Sequence, residues 1–313
     1  MRLGGLICVG LVGCPGSPLP ALDSGVVVDD AGEVDAGAAD ASVVDAGVVD
    51  AGVVDAGAVD AGTVDAGVVD AGNACALPWP VQLNPPSAPP YAGTVYVEPG
   101  LITSADPTSF RTLTATGHGL RQIFDRRVNA FVTVDAWLFD AQFGANKHVE
   151  VQVNPEFTQA QAETHARTHA TIVGRLPAFA FRDLDMLWIN GGKQLYGGGN
   201  RSILIHTEQT VEYEAGGWTE EVMLHESGHT SLDSYHQATA RWLEARTADG
   251  VAISTYARDN PTREDVAETL SMWFAVRFRS SRLSTADQQK VRAAVPSRLS
   301  YFDCLGLTDA PLP

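Results

Sequence analysis

A five-residue repeat near the N terminus limits how much of this chain can fold. From residue 26 to residue 72 the sequence repeats variants of VVDAG, with aspartates in step at Asp35, Asp40, Asp45, Asp50, Asp55, Asp60, Asp65 and Asp70. A period of five matches neither a helix nor a strand, and the repeat contains no aromatic residue, Leu or Ile. It therefore cannot bury enough apolar surface to offset the entropy of ordering. We predict a disordered spacer over residues 14–74, a Pro-rich linker over 75–99 and one folded domain over 100–313.

The negative charge of the chain is concentrated in this spacer. The net charge is −17, and residues 21–72 contain twelve acidic side chains and no Lys or Arg. With Arg2 also set aside, the remaining sequence has twenty basic and twenty-six acidic residues, so it is only mildly acidic. It contains no basic tract and no alternation of basic and aromatic residues. We therefore expect no nucleic-acid partner.

Residues 1–13 have the layout of a secretion signal. Arg2 precedes an apolar run that is too short to span a bilayer as a helix. Residues 11–14, LVGC, resemble the lipobox of bacterial lipoproteins, in which cleavage precedes the cysteine and that cysteine carries lipid. The resemblance implies lipidation at Cys14 as the only membrane contact, and Pro15 favours the outer membrane or cell surface. An ordinary secretion signal with an incidental cysteine is the alternative.

The placement of cysteines fits an extracytoplasmic protein. Cys8 would leave with the signal and Cys14 would carry lipid, which leaves Cys75 and Cys304 near the two ends of the folded part. In an oxidising compartment these two could form a disulfide, and two free thiols are the alternative.

The folded part mixes strand and helix signals and predicts an α+β fold with a small mixed sheet. Apolar alternation predicts strands at 148–155, 183–191 and 201–207. We expect the last of these to form the edge of a substrate cleft, with the glycines at 197–199 as a mobile lip or a simple turn. Thr158 begins a predicted helix that reaches about Leu176. The C-terminal segment predicts one more short helix and a tail.

The motif that carries chemistry is HExxH, in the sequence HESGH at 225–229. Residues four apart share one face of a helix, so His225 and His229 can place two ring nitrogens on one zinc ion. Glu226 faces the open side of such a metal, where a carboxylate can accept a proton from water. Gly228 disfavours the helix by roughly 1 kcal/mol relative to Ala, so we expect a close packing partner there. A helix with two unrelated histidines is the alternative.

Other histidines offer weaker ligand candidates. The longer motif HExxHxxGxxH is absent, because Leu232 and Tyr235 occupy its Gly and last His positions. His236 follows one residue late and stays a candidate third ligand if the chain turns sharply before it. A second pair, His165 and His169, is four apart but lacks the glutamate, and we expect it to face solvent.

The stronger third ligand lies downstream, on a predicted helix that Asn260 and Pro261 begin. Glu264 and Glu268 are four apart and would share one face of this helix. In a gluzincin arrangement the first carboxylate ligates zinc, and the second accepts the free N–H of a ligating histidine and fixes its tautomer. We therefore predict Glu264 as the ligand and Glu268 as the supporting carboxylate. An amphipathic helix with two solvated acids is the alternative.

A family resemblance rests on two stretches, HESGHTSLDSY at 225–235 and STYARDNPTREDVAETLSMWF at 254–274. Together they resemble the catalytic core of lethal-factor-like zinc endopeptidases, the group that includes lethal factor and the secreted Pro-Pro endopeptidases. The resemblance covers residues 219–278 well and the region from 100 onward loosely. It implies a zincin-like catalytic domain, and it assigns Tyr256 as the hydrogen-bond donor to the developing oxyanion.

These expectations combine into one functional hypothesis. The chain would be a zinc endopeptidase with one Zn²⁺ per chain, a peptide or protein substrate and Glu226 as general base, tethered by lipid to the cell envelope. The competing hypothesis is a surface lipoprotein that keeps a zincin-like fold but binds a partner without cleaving it. A purely structural spacer would account for residues 15–99 and leave the histidines and glutamates without a role.

Overall fold

The computed structural model describes residues 79–80, 85–95 and 99–313. The predicted secretion signal, the lipidation site Cys14, the spacer and Cys75 lie outside the described residues. The described part is an α+β fold with a six-stranded mixed sheet and nine α-helices. Within these ranges no helix is both long and apolar enough to cross a membrane.

The six strands and one intervening α-helix lie in the first half of the described chain, and the second half is helical. In chain order they are β1 Phe110–Asp125, β2 Ala130–Phe143, β3 Lys147–Val153, α1 Gln159–Val173, β4 Met186–Asn190, β5 Gly197–Gly199, β6 Ser202–His206, α2 Thr207–Gly216, α3 Thr219–Ser231, α4 Asp233–His236, α5 Ala240–Asp249, α6 Thr255–Asp259, α7 Asp265–Phe278, α8 Thr285–Ala294 and α9 Pro296–Cys304. Two short 3₁₀ turns lie at Ala178–Phe181 and Ser280–Arg282. The C-terminal segment thus forms two helices, whereas the sequence predicted one.

The strand order in the sheet is β1-β2-β3-β4-β6-β5. A long antiparallel hairpin, β1–β2, pairs with β3, and β3, β4 and β6 are parallel to one another. The glycine strand β5 pairs antiparallel with β6 and ends the order. The expectation that residues 201–207 form the cleft edge is therefore wrong, because β6 is paired on both sides. The edge is Gly197–Gly199, which the sequence predicted to be a lip or a turn.

The central strands β4 and β6 are buried on both faces, as parallel strands usually are. Successive side chains of a strand point to opposite faces. The main core against the helices receives Leu187, Ile189, Ile203 and Ile205. A smaller cluster on the other face contains Trp188 and Leu204, together with Ile123 and Phe124 from β1. The hairpin thus covers the face of the sheet that the helices leave open.

The helix predicted from Thr158 begins there and ends at Val173. Thr158 forms a capping box with Gln161, in which each side chain pairs with the other residue's backbone N–H. The expectation that His165 and His169 face solvent is wrong for His169, which is 1% exposed. Its ring nitrogens bond to the carbonyl of His165 and to the hydroxyl of Thr210, so the helix turns this residue into the core.

The glutamate helix begins later than the sequence predicted. Residues 260–264 form a hydrogen-bonded turn, and α7 begins at Asp265. Glu264 therefore stands at the N-cap, and its carbonyl accepts the backbone N–H of Glu268 at 2.9 Å. The turn replaces the first helical turn that Pro261 was expected to start.

The packed region begins upstream of the predicted boundary at residue 100. Val95 is 3% exposed and belongs to the main core. Tyr91 forms a parallel β-bridge with Ser254, just before α6. We call residues 91–95 the N-terminal strap, because this segment lies across the helical half of the fold.

Candidate metal centre

Three side chains converge between α3 and the N-cap of α7. The Nε2 atoms of His225 and His229 are 3.1 Å apart, and Oε2 of Glu264 is 3.4 Å from the first and 3.3 Å from the second. Ligands on a tetrahedral zinc ion, at the usual bond lengths, are separated by about 3.3 Å. Among the described residues these three form the one group of His, Cys, Asp or Glu with metal-ligand spacing.

A close helix contact brings the ligands together. At Gly228, a Cβ would lie 3.2 Å from Cα and Cβ of Ala267 and 3.2 Å from Cδ2 of Leu270. The close packing partner expected at this glycine is confirmed, and it is α7. Because neither Gly228 nor Ala267 has a bulky side chain, α3 and α7 approach closely one turn from the ligands. This approach places Glu264 within reach of both histidines.

Each histidine also faces a carboxylate with its other ring nitrogen. Nδ1 of His229 donates a hydrogen bond to Oδ2 of Asp233 at 2.7 Å. Nδ1 of His225 lies 3.6 Å from Oε1 of Glu268, whose side chain is fully buried. A proton on Nδ1 leaves the Nε2 lone pair directed at the centre. Asp233 was not predicted from the sequence, although its spacing of four from His229 is a readable signal.

The centre contains acceptors that face one another without a donor. With Nδ1 protonated, both Nε2 atoms and Oε2 of Glu264 present lone pairs to the same point, and among the residues that the structure describes the buried Oε2 of Glu264 has no hydrogen-bond partner. Buried acceptors at this spacing are unfavourable unless a cation or a proton lies among them. Two imidazoles and one carboxylate are a donor set that suits zinc. The residues therefore fit a bound divalent metal.

The charges around the centre also favour a bound cation. Burial alone would lower the pKa of His229, but Asp233 and Glu264 outweigh it and raise that pKa well above its ordinary value. Burial likewise opposes protonation of His225, and Glu264 raises its pKa above the ordinary value. Burial would raise the pKa of Glu264, but the two histidines hold that pKa far below its usual range. The surrounding carboxylates thus stabilise positive charge at this point.

Glu226 follows the first ligand on α3 and is 8% exposed. Burial and the nearby charge of Glu226 raise the pKa of the Tyr213 hydroxyl. The backbone carbonyl of Glu226 lies against β5, because a Cβ on Gly198 would be 2.0 Å from that oxygen. The edge strand is fixed further along α3, where the backbone N–H of Gly199 donates to the hydroxyl of Thr230 at 2.9 Å. The edge strand therefore lies directly on α3, the helix that contains both histidines of the candidate metal centre.

Tyr256 lies on α6, half-buried, and leads into the ligand turn. The backbone N–H of Asn260 donates to the carbonyl of Tyr256 at 2.9 Å, and the N–H of Glu264 donates to the carbonyl of Asn260 at 2.9 Å. Tyr256 is thus connected to the ligand glutamate by two successive turns of hydrogen-bonded backbone. Its role as an oxyanion donor stays a prediction.

His236 lies outside the ligand group. It is 5% exposed, and its Nδ1 is hydrogen-bonded to the hydroxyl of Tyr301 at 2.8 Å. Burial lowers the pKa of His236 to about 4, with Arg182 contributing. Cys304 ends α9 and forms no disulfide within the described residues, and its predicted partner Cys75 lies beyond them. The Cys75–Cys304 disulfide stays a prediction.

We compared the chain with models of protein families, with curated proteins and with solved structures. No family model, no curated protein and no solved structure matches it. The case for a function therefore rests on the residues and geometry of the centre itself.

Proposed function

We propose that this chain is a zinc endopeptidase with a zincin-like catalytic domain of the lethal-factor-like kind. The observation that carries the proposal is the triangle of Nε2 of His225, Nε2 of His229 and Oε2 of Glu264, with sides of 3.1 to 3.4 Å. These three residues would hold one zinc ion per chain. When bound, zinc acts as a Lewis acid toward a peptide carbonyl and toward water.

The chain's own residues supply the proton transfers. Glu226 adjoins the ligands on α3 and is largely shielded from solvent, so its carboxylate is suited to accept a proton from the attacking water. The same carboxyl group then returns that proton to the leaving amine. Tyr256 would donate a hydrogen bond to the oxyanion that develops on the scissile carbonyl. Asp233 and Glu268 would hold the two imidazole rings in one tautomer.

The edge strand β5 supports the proposal that the substrate is a peptide. β5 pairs with β6 along one side, and an edge strand of this kind can pair with an extended peptide through backbone hydrogen bonds. Because β5 lies against the carbonyl of Glu226, a peptide added to its free side would pass the metal-binding helix. Pairing through the backbone of Gly197–Gly199 places no demand on the sequence of the substrate.

We further propose that the enzyme acts outside the cytoplasm, held to the envelope through lipid on Cys14. The secretion-signal layout of residues 1–13 and the lipobox-like sequence at 11–14 support this placement. Residues 26–72 would separate the catalytic domain from the membrane surface.

The first experiment measures zinc per chain in the full-length protein, in Glu264→Ala and in His236→Ala. We expect about one zinc in the wild type, loss of zinc in Glu264→Ala and retention in His236→Ala, because only Glu264 faces both ligand histidines. The His236 variant is the matched control, since it removes a buried group close to α3 without touching the triangle. Zinc-free wild-type protein would refute the proposal. Zinc-loaded protein that hydrolyses no member of a peptide library would favour a binding protein instead.

A further inference from the structure

The N-terminal strap contacts the candidate metal centre through the carboxylate of Glu268. The hydroxyl of Thr94 donates a hydrogen bond to Oε1 of Glu268, and the backbone N–H of Val95 donates to Oε2 at 3.0 Å. The same Oε1 lies 3.6 Å from Nδ1 of His225. Both oxygens of Glu268 are therefore held by a segment that is 173 to 174 residues away in sequence.

Independent contacts fix the strap in this position. The backbone N–H groups of Thr255 and Tyr256 donate to the carbonyls of Tyr91 and Gly93 at 2.9 and 3.3 Å. The N–H of Gly93 donates in return to the hydroxyl of Thr255 at 2.8 Å. Val95 is 3% exposed within the main core. The strap is thus docked as an added strand beside α6, the helix that leads to Glu264.

A glutamate side chain has three rotatable bonds, so burial alone does not fix where its carboxylate points. Glu268 is held on one side by the strap and faces a ligand histidine on the other. Ser254 also interacts with this carboxylate, so loss of the Thr94 donor would leave Glu268 to the remaining partners and change its orientation toward His225. Outer carboxylates of this kind affect metal affinity because they orient the ligand ring.

We propose that the N-terminal strap is part of the metal centre, with Thr94 as a positioning residue that holds Glu268 against Nδ1 of His225. This inference rests on the proposed function, since it presupposes that His225, His229 and Glu264 bind zinc. It extends the functional unit upstream of residue 100, into the segment that the sequence predicts to be linker.

Competition between the full-length protein and a chromophoric chelator gives the zinc dissociation constant of each variant. We expect Thr94→Val to weaken zinc binding about tenfold and Glu268→Gln to weaken it about 10- to 100-fold, the range for outer-shell partners. Thr94→Ser keeps the donor and should bind zinc nearly as the wild type does. The matched control is Thr247→Val, which removes an exposed hydroxyl on α5 that, within the described ranges, bonds to the Leu243 carbonyl. It should leave zinc affinity unchanged.

The double variant Thr94→Val with Glu268→Gln separates positioning from general loosening of the fold. If Thr94 acts through Glu268, the double variant binds zinc no more weakly than Glu268→Gln alone. Additive losses, or wild-type affinity in Thr94→Val, would overturn the inference while leaving the proposed function intact. Urea unfolding of the apoprotein in chelator is the second readout. If Thr94→Val destabilises the apoprotein by as much free energy as it weakens zinc binding, the role of Thr94 is structural and the inference is overturned. Absence of zinc from the wild type would instead refute the proposed function.

Discussion

Replacing Gly198 by alanine tests whether the glycine edge strand lies on α3, the helix of the HExxH motif. The added Cβ would be 2.0 Å from the carbonyl oxygen of Glu226 and 2.9 Å from Cβ of His229. Carbon–oxygen contacts are normally about 3.3 Å or longer, so the strand must move by more than about 1 Å. Overpacking of this size typically destabilises by about 1–3 kcal/mol. A displacement of about 1 Å next to reacting groups can slow hydrolysis about 100-fold.

Gly197 provides the matched control on the same strand. Its added Cβ would be 2.7 Å from Nη2 of Arg126, the far end of a flexible side chain, and 3.7 Å from Leu204. We expect Gly197→Ala to change stability by less than about 1 kcal/mol and to keep most of the activity. Urea unfolding and peptide hydrolysis measure the two effects. Equal stability and equal rates for the two variants would show that β5 does not lie against α3.

Four further predictions address the centre and the core. Glu226→Gln should retain zinc and lose about 10²- to 10⁴-fold in hydrolysis rate; loss of zinc from this variant would contradict the role of general base. Tyr256→Phe should retain zinc and slow hydrolysis about 10²-fold or more, and an unchanged rate would assign the oxyanion donor to another group. Gly228→Ala should push α7 away at its 3.2 Å contacts and weaken zinc binding, measured by chelator competition; wild-type affinity would contradict the close approach. Burial lowers the pKa of His169 to about 4, so the unfolded chain takes up this proton first as the pH falls. The contribution of His169 to the free energy of unfolding, measured in chelator, should be fully present above about pH 6.5 and should fall by up to about 3 kcal/mol toward pH 4. His169→Gln should lose that part of the decline.

The sequence was sufficient to predict the structure where residue type and local spacing determine it. Thr158 predicted the start of α1, where the structure has a capping box with Gln161, and the absence of a side chain at Gly228 predicted a close neighbour. Both inferences depend on residues within one or two helical turns.

The sequence was insufficient where a distant contact decides the structure. Three consecutive glycines have a low intrinsic preference for strands, yet Gly197–Gly199 form one that pairs with β6. At Gly198 a side chain would collide with the carbonyl of Glu226. Pro261 favours a helix start, but the chain forms a turn and places Glu264 at the N-cap. The strap directly follows a Pro-rich stretch at 85–90 and falls within the predicted linker, and its contact with Glu268 spans more than 170 residues.

The geometry of the centre depends on helix packing as much as on the HExxH motif. The motif fixes the spacing of His225 and His229 on α3, and any helix with this spacing would present the same two nitrogens. Glu264, the proposed third ligand, is within reach of both histidines because α7 approaches α3 at Gly228 and the turn before α7 directs Glu264 inward. A larger residue at either contact position would leave the motif intact and separate the ligands. The packing of α3 against α7 therefore turns a helix that contains two histidines into a three-residue group with metal-ligand spacing.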